Sequence, residues 1–197
     1  MSNLALTYQN LGQHADAEKL QIKILDFRNR LLGEEHSETI TTMNHLADIY
    51  GSLGIYAGSE ELGIKVLNLR SRLLGEEHPE TIIAMSKLAV TYQNLGQHTD
   101  AEKLQVKVLY LRNRLLGDEH PDTIDAMKNL AITCYHLHEY TAADKLAVQV
   151  VDVRQKVFGV EHSKTVEAVG LLTDIRSEAN SNTSRIKSNK KSEFHLL

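Results

Sequence analysis

The chain has 197 residues, 42% of them hydrophobic, with no Trp, two Pro and a net charge of −4. That length suits one ordinary domain or an array that grows by stacking units. The single cysteine, Cys134, excludes an internal disulfide framework and fits a reducing compartment. No N-terminal apolar run reads as a signal peptide, and no window reaches the roughly 18 apolar residues of a membrane span, so a soluble cytoplasmic or nuclear protein without a membrane partner is expected, cytoplasmic being the preferred reading. The last 21 residues hold four Lys/Arg and two Glu, which leaves −6 on the rest of the chain. Such a body is a poor phosphate binder, and no nucleic-acid partner is expected.

The first element, residues 1–33, opens inside a helix. Met1 aligns with Met43, Met85 and Met127, each early in a helix, so the first copy is expected to lack its opening residues. The chain is therefore expected to be a fragment or a truncated product. Its unpaired apolar stripe predicts self-association through this N-terminal helix. At Leu31 the phrase "LLGEEHSETI" begins; it returns as "LLGEEHPETI" at Leu73, "LLGDEHPDTI" at Leu115 and "VFGVEHSKTV" at Val157. Gly33, Gly75, Gly117 and Gly159 follow one another at intervals of 42, and a fixed period in this range marks a solenoid.

Residues 37–75 form the next unit. Its second half, "YAGSEELGI", carries Gly58 and Gly63, so its second helix is expected to begin late or fray, glycine costing about 1 kcal/mol against alanine inside a helix. The unit at 79–117 is the most regular. Ile82, Met85, Leu88, Ala89, Tyr92 and Leu95 recur every three or four residues and line one face of a helix. Pro79 suits the first helical position, Glu80 the positive end of the dipole, and Gly96 the end of the helix. Ala101, Leu104, Val108, Leu111 and Leu115 make a second stripe, after a cap at Thr99 or Asp100. Two helices of roughly 17 residues joined by about three form an antiparallel hairpin whose stripes can be buried only by stacking. Residues 1–36 match 85–120 at 28 of 36 positions, which suggests duplication of a two-repeat block.

The unit at 121–159 repeats the pattern with His138 in place of Gly96. The last helix, 163–178, has no second partner, and Arg176 stands where Tyr8, Tyr50 and Tyr92 recur; it is expected to face water and cap the array. Residues 179–197 are polar and lysine-rich and are expected to be disordered.

Leu4, Ala5, Tyr8, Gly12 and Ala17, like Leu88, Ala89, Tyr92, Gly96 and Ala101, resemble the tetratricopeptide signature. The 42-residue period and the "G-[DE]-E-H-P-[DE]-T" linker resemble its kinesin light chain type over residues 1–176. That type also occurs behind the NTPase modules of NB-ARC-like proteins. The resemblance implies an all-α, right-handed solenoid with three full repeats (37–75, 79–117, 121–159) and a half unit at each end (1–33, 163–178). It also implies a non-enzymatic scaffold that holds a peptide or partner helix in its concave groove. A second reading is the sensor or oligomerisation arm of an NB-ARC-type signalling NTPase.

The chemistry-bearing residues point the same way. His36, His78, His120 and His162 sit one helix layer apart, about 10 Å, too far for neighbouring copies to share a zinc ion. The linker reads as polar punctuation, with no metal. Cys134 lies inside a helix and reads as a buried thiol. No phosphate loop occurs, and no cofactor is expected. The candidate peptide-binding row comprises the residues before each Leu-Ala pair, Asn3, His45, Lys87 and Asn129, with Asn10, Asn94 and His136 further along the same helices. Light-chain-type repeats are similar in using asparagines of this row to hold peptide backbone; here Asn3 and Asn129 match, and His45 and Lys87 depart.

Overall fold

A computed structural model describes residues 13–193, with side chains to residue 182. Among the described residues there are eight helices and no strand: α1 (His14–Leu32), α2 (Ser37–Ser52), α3 (Tyr56–Leu74), α4 (Pro79–Asn94), α5 (His98–Leu116), α6 (Pro121–His136), α7 (Tyr140–Phe158) and α8 (Ser163–Glu193). First-type helices (α2, α4, α6) have 16 residues and second-type helices (α1, α3, α5, α7) have 19.

The linker phrase sets the helix ends. In each copy the histidine precedes the first helical residue, with extended backbone at His36, His78 and His120, and its Nδ1 accepts the N–H two residues on, at 3.2 Å, from Glu38, Glu80, Asp122 and Lys164. Each His thus satisfies one of the N–H groups that a helix start leaves without a partner. Gly75 ends α3 at φ +87°, a left-handed conformation that glycine enters without a Cβ penalty. The linker acids face the next second-type helix: Glu34 pairs with Lys65, Glu35 with Arg72 at 2.6 Å, Glu76 with Lys107 at 2.8 Å and Glu119 with Lys156. The Glu-Glu-His phrase is a cap with ion pairs.

The chain divides into two compact units, residues 1–111 and 112–197. In the first, α1 packs on α2, α2 on α3 and α3 on α4. Ile40, Met43, Val66, Leu69 and Ala84 form its core, with Leu25, Leu62 and Leu67 against it. The glycines of α3 do not delay or fray the helix, which begins at Tyr56, the position matching His14 and His98. They sit where neighbours crowd in. A Cβ on Gly58 would lie 2.9 Å from Tyr50 Cδ2, and one on Gly63 would lie 3.1 Å from Leu88 Cδ1. Close packing there offsets the propensity cost of glycine. Ile82, Met85, Leu88 and Ala89 are buried as the spacing requires, whereas Tyr92 and Leu95 are half-buried. In the second stripe Leu115 is 47% exposed, as are its counterparts Leu31 and Leu73 at 66% and 45%, because this position lies past the last stacked turn. Neither Thr99 nor Asp100 caps α5, since the helix already begins at His98, and the Asp100 carboxylate takes Lys103 at 2.8 Å.

In the second unit α6 packs on α7 and α7 on α8. His138 takes the left-handed conformation of Gly54 and Gly96, at φ +61° against +75° and +74°. The turn keeps its pattern: the N–H of Glu139 donates to Cys134 O at 2.9 Å, as that of Ile55 does to Tyr50 O in the first unit. Thr165, Ala168 and Ile175 anchor α8. Arg176 is exposed and pairs with Asp144 of α7 at 2.5 Å. The helix continues to Glu193, past Glu178, where the apolar pattern stops; each added residue extends an existing hydrogen-bond ladder without new nucleation.

Candidate functional site

The first unit contains an open groove of about 700 Å³ built from α2, the end of α3 and the start of α4. Its apolar wall is Leu73, Leu74 and Ile83, which are 45%, 47% and 38% exposed. Its polar wall is Thr41, Asn44 and His45 of α2, one helical turn wide. The repeat produces this mixture. First-type helices bury most of their surface but leave Thr41, His45 and Ile83 at least partly accessible, and the Leu-Leu pairs before Gly33, Gly75 and Gly117 lie beyond the packed turns.

The charged groups around the groove are matched to one another. Lys87 Nζ lies 2.5 Å from Asp48 Oδ2, which also accepts from Asn44 Nδ2 at 3.5 Å. The Arg70 guanidinium is buried; it donates to Glu80 O at 3.1 Å and reaches the Glu80 carboxylate at 2.6 Å. Arg72 holds Glu35 at 2.6 Å. His45 presents an accessible edge, yet the protein atoms around it displace water. This desolvation holds its imidazole below the ordinary histidine range; Asp48 opposes the shift and Lys87, Arg28 and Arg70 add to it.

Of the row read from the sequence, His45 lines the groove. Lys87 stands beside it on Asp48. Asn94 is exposed near the end of α4. In the second unit Asn129 is half-buried on α6, and His136, its ring centroid 5.4 Å from that of Tyr135, borders a smaller cleft of about 330 Å³ shared with Leu171 and Ile175. Asn3, Asn10 and the opening helix expected to self-associate lie outside the described residues. Sequence reasoning missed the arginines at 28, 70, 112 and 154, although they too recur every 42 residues. Each donates to the carbonyl ten residues on, at 2.6–3.1 Å, in the first turn of the next first-type helix. It missed the Leu73–Leu74 wall for another reason: Leu73 falls at the stripe position of Leu115, which read as core, and Leu74 read only as part of the phrase before the linker glycine.

The sequence profile of the tetratricopeptide repeat matches residues 1–62, 53–104 and 80–156. No curated protein matches the chain. Among solved structures, the nearly identical TPR-like repeats of a protein described as a kinesin light chain, from Podospora anserina, superpose with a TM-score of 0.81 at 25% identity, covering 98% of this chain and 94% of that one. BtubC (BKLC) from P. vanneervenii gives 0.77 at 19% identity, over 96% and 78% of the two chains. A Rap protein complexed with Competence and Sporulation Factor gives 0.67 at 13%, over 95% and 50%.

Proposed function

Because the chain belongs to the tetratricopeptide repeat family, we propose that it is a non-enzymatic scaffold whose first unit holds a segment of a partner protein in the groove between α2 and α4. The observation that carries this reading is the juxtaposition of three exposed apolar side chains, Leu73, Leu74 and Ile83, with the polar edge of α2. Apolar pockets bordered by a few placed polar groups are the usual form of a recognition site. Thr41 and His45 would meet the backbone of the bound segment, and the apolar wall would take its side chains. His45, Lys87, Asn94, Asn129 and His136 remain the proposed row, with His45 its best-placed member in the groove. No described helix is long and apolar enough to cross a membrane. The buried thiol of Cys134 suits a reducing compartment such as the cytoplasm.

The test is to select binding peptides on the intact chain and to titrate them against two variants. Ile83→Gln removes one wall of the groove; Val106→Gln alters a comparably exposed residue of α5 that does not line it. Selected peptides should bind Ile83→Gln at least about tenfold more weakly and Val106→Gln unchanged, a difference of roughly 1.4 kcal/mol. Equal affinity for wild type and Ile83→Gln would remove the groove from the account.

A further inference from the structure

The groove can be given a ligand chemistry, an inference that rests on the reading of the groove as the binding site. The cations around it already have acids. Lys87 is on Asp48 at 2.5 Å, Arg70 on Glu80 at 2.6 Å, Arg72 on Glu35 at 2.6 Å and Arg28 on Glu38 at 2.9 Å. An acidic segment would have to displace one of these intramolecular partners, held at short range, and would gain little net Coulomb energy in the exchange. The ring of His45 adds no fixed positive charge at neutral pH, since its desolvated surroundings favour the uncharged form. The unsatisfied surface is instead apolar, at Leu73, Leu74 and Ile83.

We infer that the groove selects a peptide segment with uncharged, apolar side chains over an acidic one, and that the Asp48–Lys87 pair sets this preference. Aspartate 48 acts as an internal competitor for acidic ligands. Removing its charge leaves Lys87 without its carboxylate beside His45 and should convert the groove to one that accepts acidic segments. The burial of apolar side chains depends little on ionic strength, whereas binding to an unpaired lysine is weakened by salt.

Two fluorescent peptides of equal length test this by anisotropy on the intact chain: one rich in Leu, Met and Ser without charge, the other with Asp and Glu in place of the apolar residues. Wild type should bind the apolar peptide at least about tenfold more tightly than the acidic one, with an affinity that is flat in salt. Asp48→Asn should tighten binding of the acidic peptide severalfold, in a salt-dependent way, and leave the apolar peptide unchanged. Ile83→Gln should weaken the apolar peptide alone. Preference of wild type for the acidic peptide would overturn the assigned class while leaving the groove standing, provided Ile83→Gln still impairs binding. No response of the acidic peptide to Asp48→Asn would overturn the role of the ion pair. Insensitivity of both peptides to Ile83→Gln would remove the groove reading and this inference with it. Thermal melts on each variant establish that the chain stays folded.

Discussion

The helices α4 and α8 occupy the same place in their repeats, and comparing them separates what a residue is from what its neighbours make of it. Thr81 and Thr165 are both fully buried, as are Ala84 and Ala168 at 3% and 1% exposed, so the side that meets the preceding hairpin is retained. The other side diverges. Ile82 and Met85 are 4% and 2% exposed, whereas their counterparts Val166 and Val169 are 58% and 41% exposed. Within the first unit the equivalent Ile40 and Met43 share a core with Val66 and Leu69 of the second-type helix that follows. No such helix follows α8 among the described residues. An apolar residue at a stripe position is therefore only a candidate for burial; the stacked partner decides. Thr173 in place of the buried Ala89, and Arg176 in place of Tyr92, show the sequence adapting half of that face to water.

The largest way to break the comparison is a paired truncation. Met85→Ala should cost about 2–5 kcal/mol because it leaves a cavity in a packed layer. Val169→Ala, at the same repeat position, should stay within about 0.5 kcal/mol, as for surface sites. Urea melts of both variants give the two numbers, and similar losses would mean that α8 is covered. The attachment of α8 is tested next. Arg154 is 1% exposed, donates to Lys164 O at 2.6 Å and lies 3.2 Å from Asp125 and 3.5 Å from Glu167. Arg154→Met should cost about 1.5–3 kcal/mol, the range for hydrogen bonds to charged groups, and raise hydrogen exchange in α8 before α6.

The two hairpin turns sharpen the contrast further. His138→Gly should stabilise the chain by about 1 kcal/mol, since it relieves a side chain in left-handed backbone, and Gly96→His should destabilise it by a similar amount. The His138 variant also gives up the 2.8 Å contact between His138 Nδ1 and the Tyr140 hydroxyl, which trims its gain. Calorimetric melting temperatures check both signs. The smallest effect is a pH dependence. His45 titrates below the ordinary value of 6.5 in the folded chain, so the unfolded chain binds the proton more tightly. Stability carried by the neutral ring is present above about pH 6.5 and is lost as pH falls through the lower folded value. His45→Gln should flatten that part of the stability profile, which melts at a series of pH values would show.

Much of the fold was legible because it is periodic. The glycines at 42-residue intervals, the three-and-four spacing from Ile82 to Leu95 and the proline at Pro79 fix helix type, turn position and the buried stripe by local chemistry. The less legible parts depend on contacts between copies. Histidine is outside the usual group of helix-capping side chains, so the role of His78 Nδ1 was hidden inside a phrase that otherwise read correctly as punctuation. The glycines of α3 read as weak points because the crowding of Tyr50 and Leu88 against them comes from other helices. Lys87 read as a cation facing ligand, and nothing near it in sequence shows that Asp48, 39 residues earlier, holds it. Of the row read on the first-type helices, His45 is the member that lines the proposed groove. The groove's apolar half was not legible, because Leu73 falls at the stripe position of Leu115 and Leu74 stood only as its neighbour before the linker glycine.

The account stands most directly on whether the α2–α4 groove is where a partner binds. Methyl-labelled NMR during titration with a selected peptide measures this on the intact chain. The methyl signals of Leu73, Leu74 and Ile83 should shift in proportion to occupancy, while those of Val90 and Val106, equally exposed but outside the groove, stay in place. Shifts centred on Val90 and Val106, with Leu73, Leu74 and Ile83 unmoved, would contradict it.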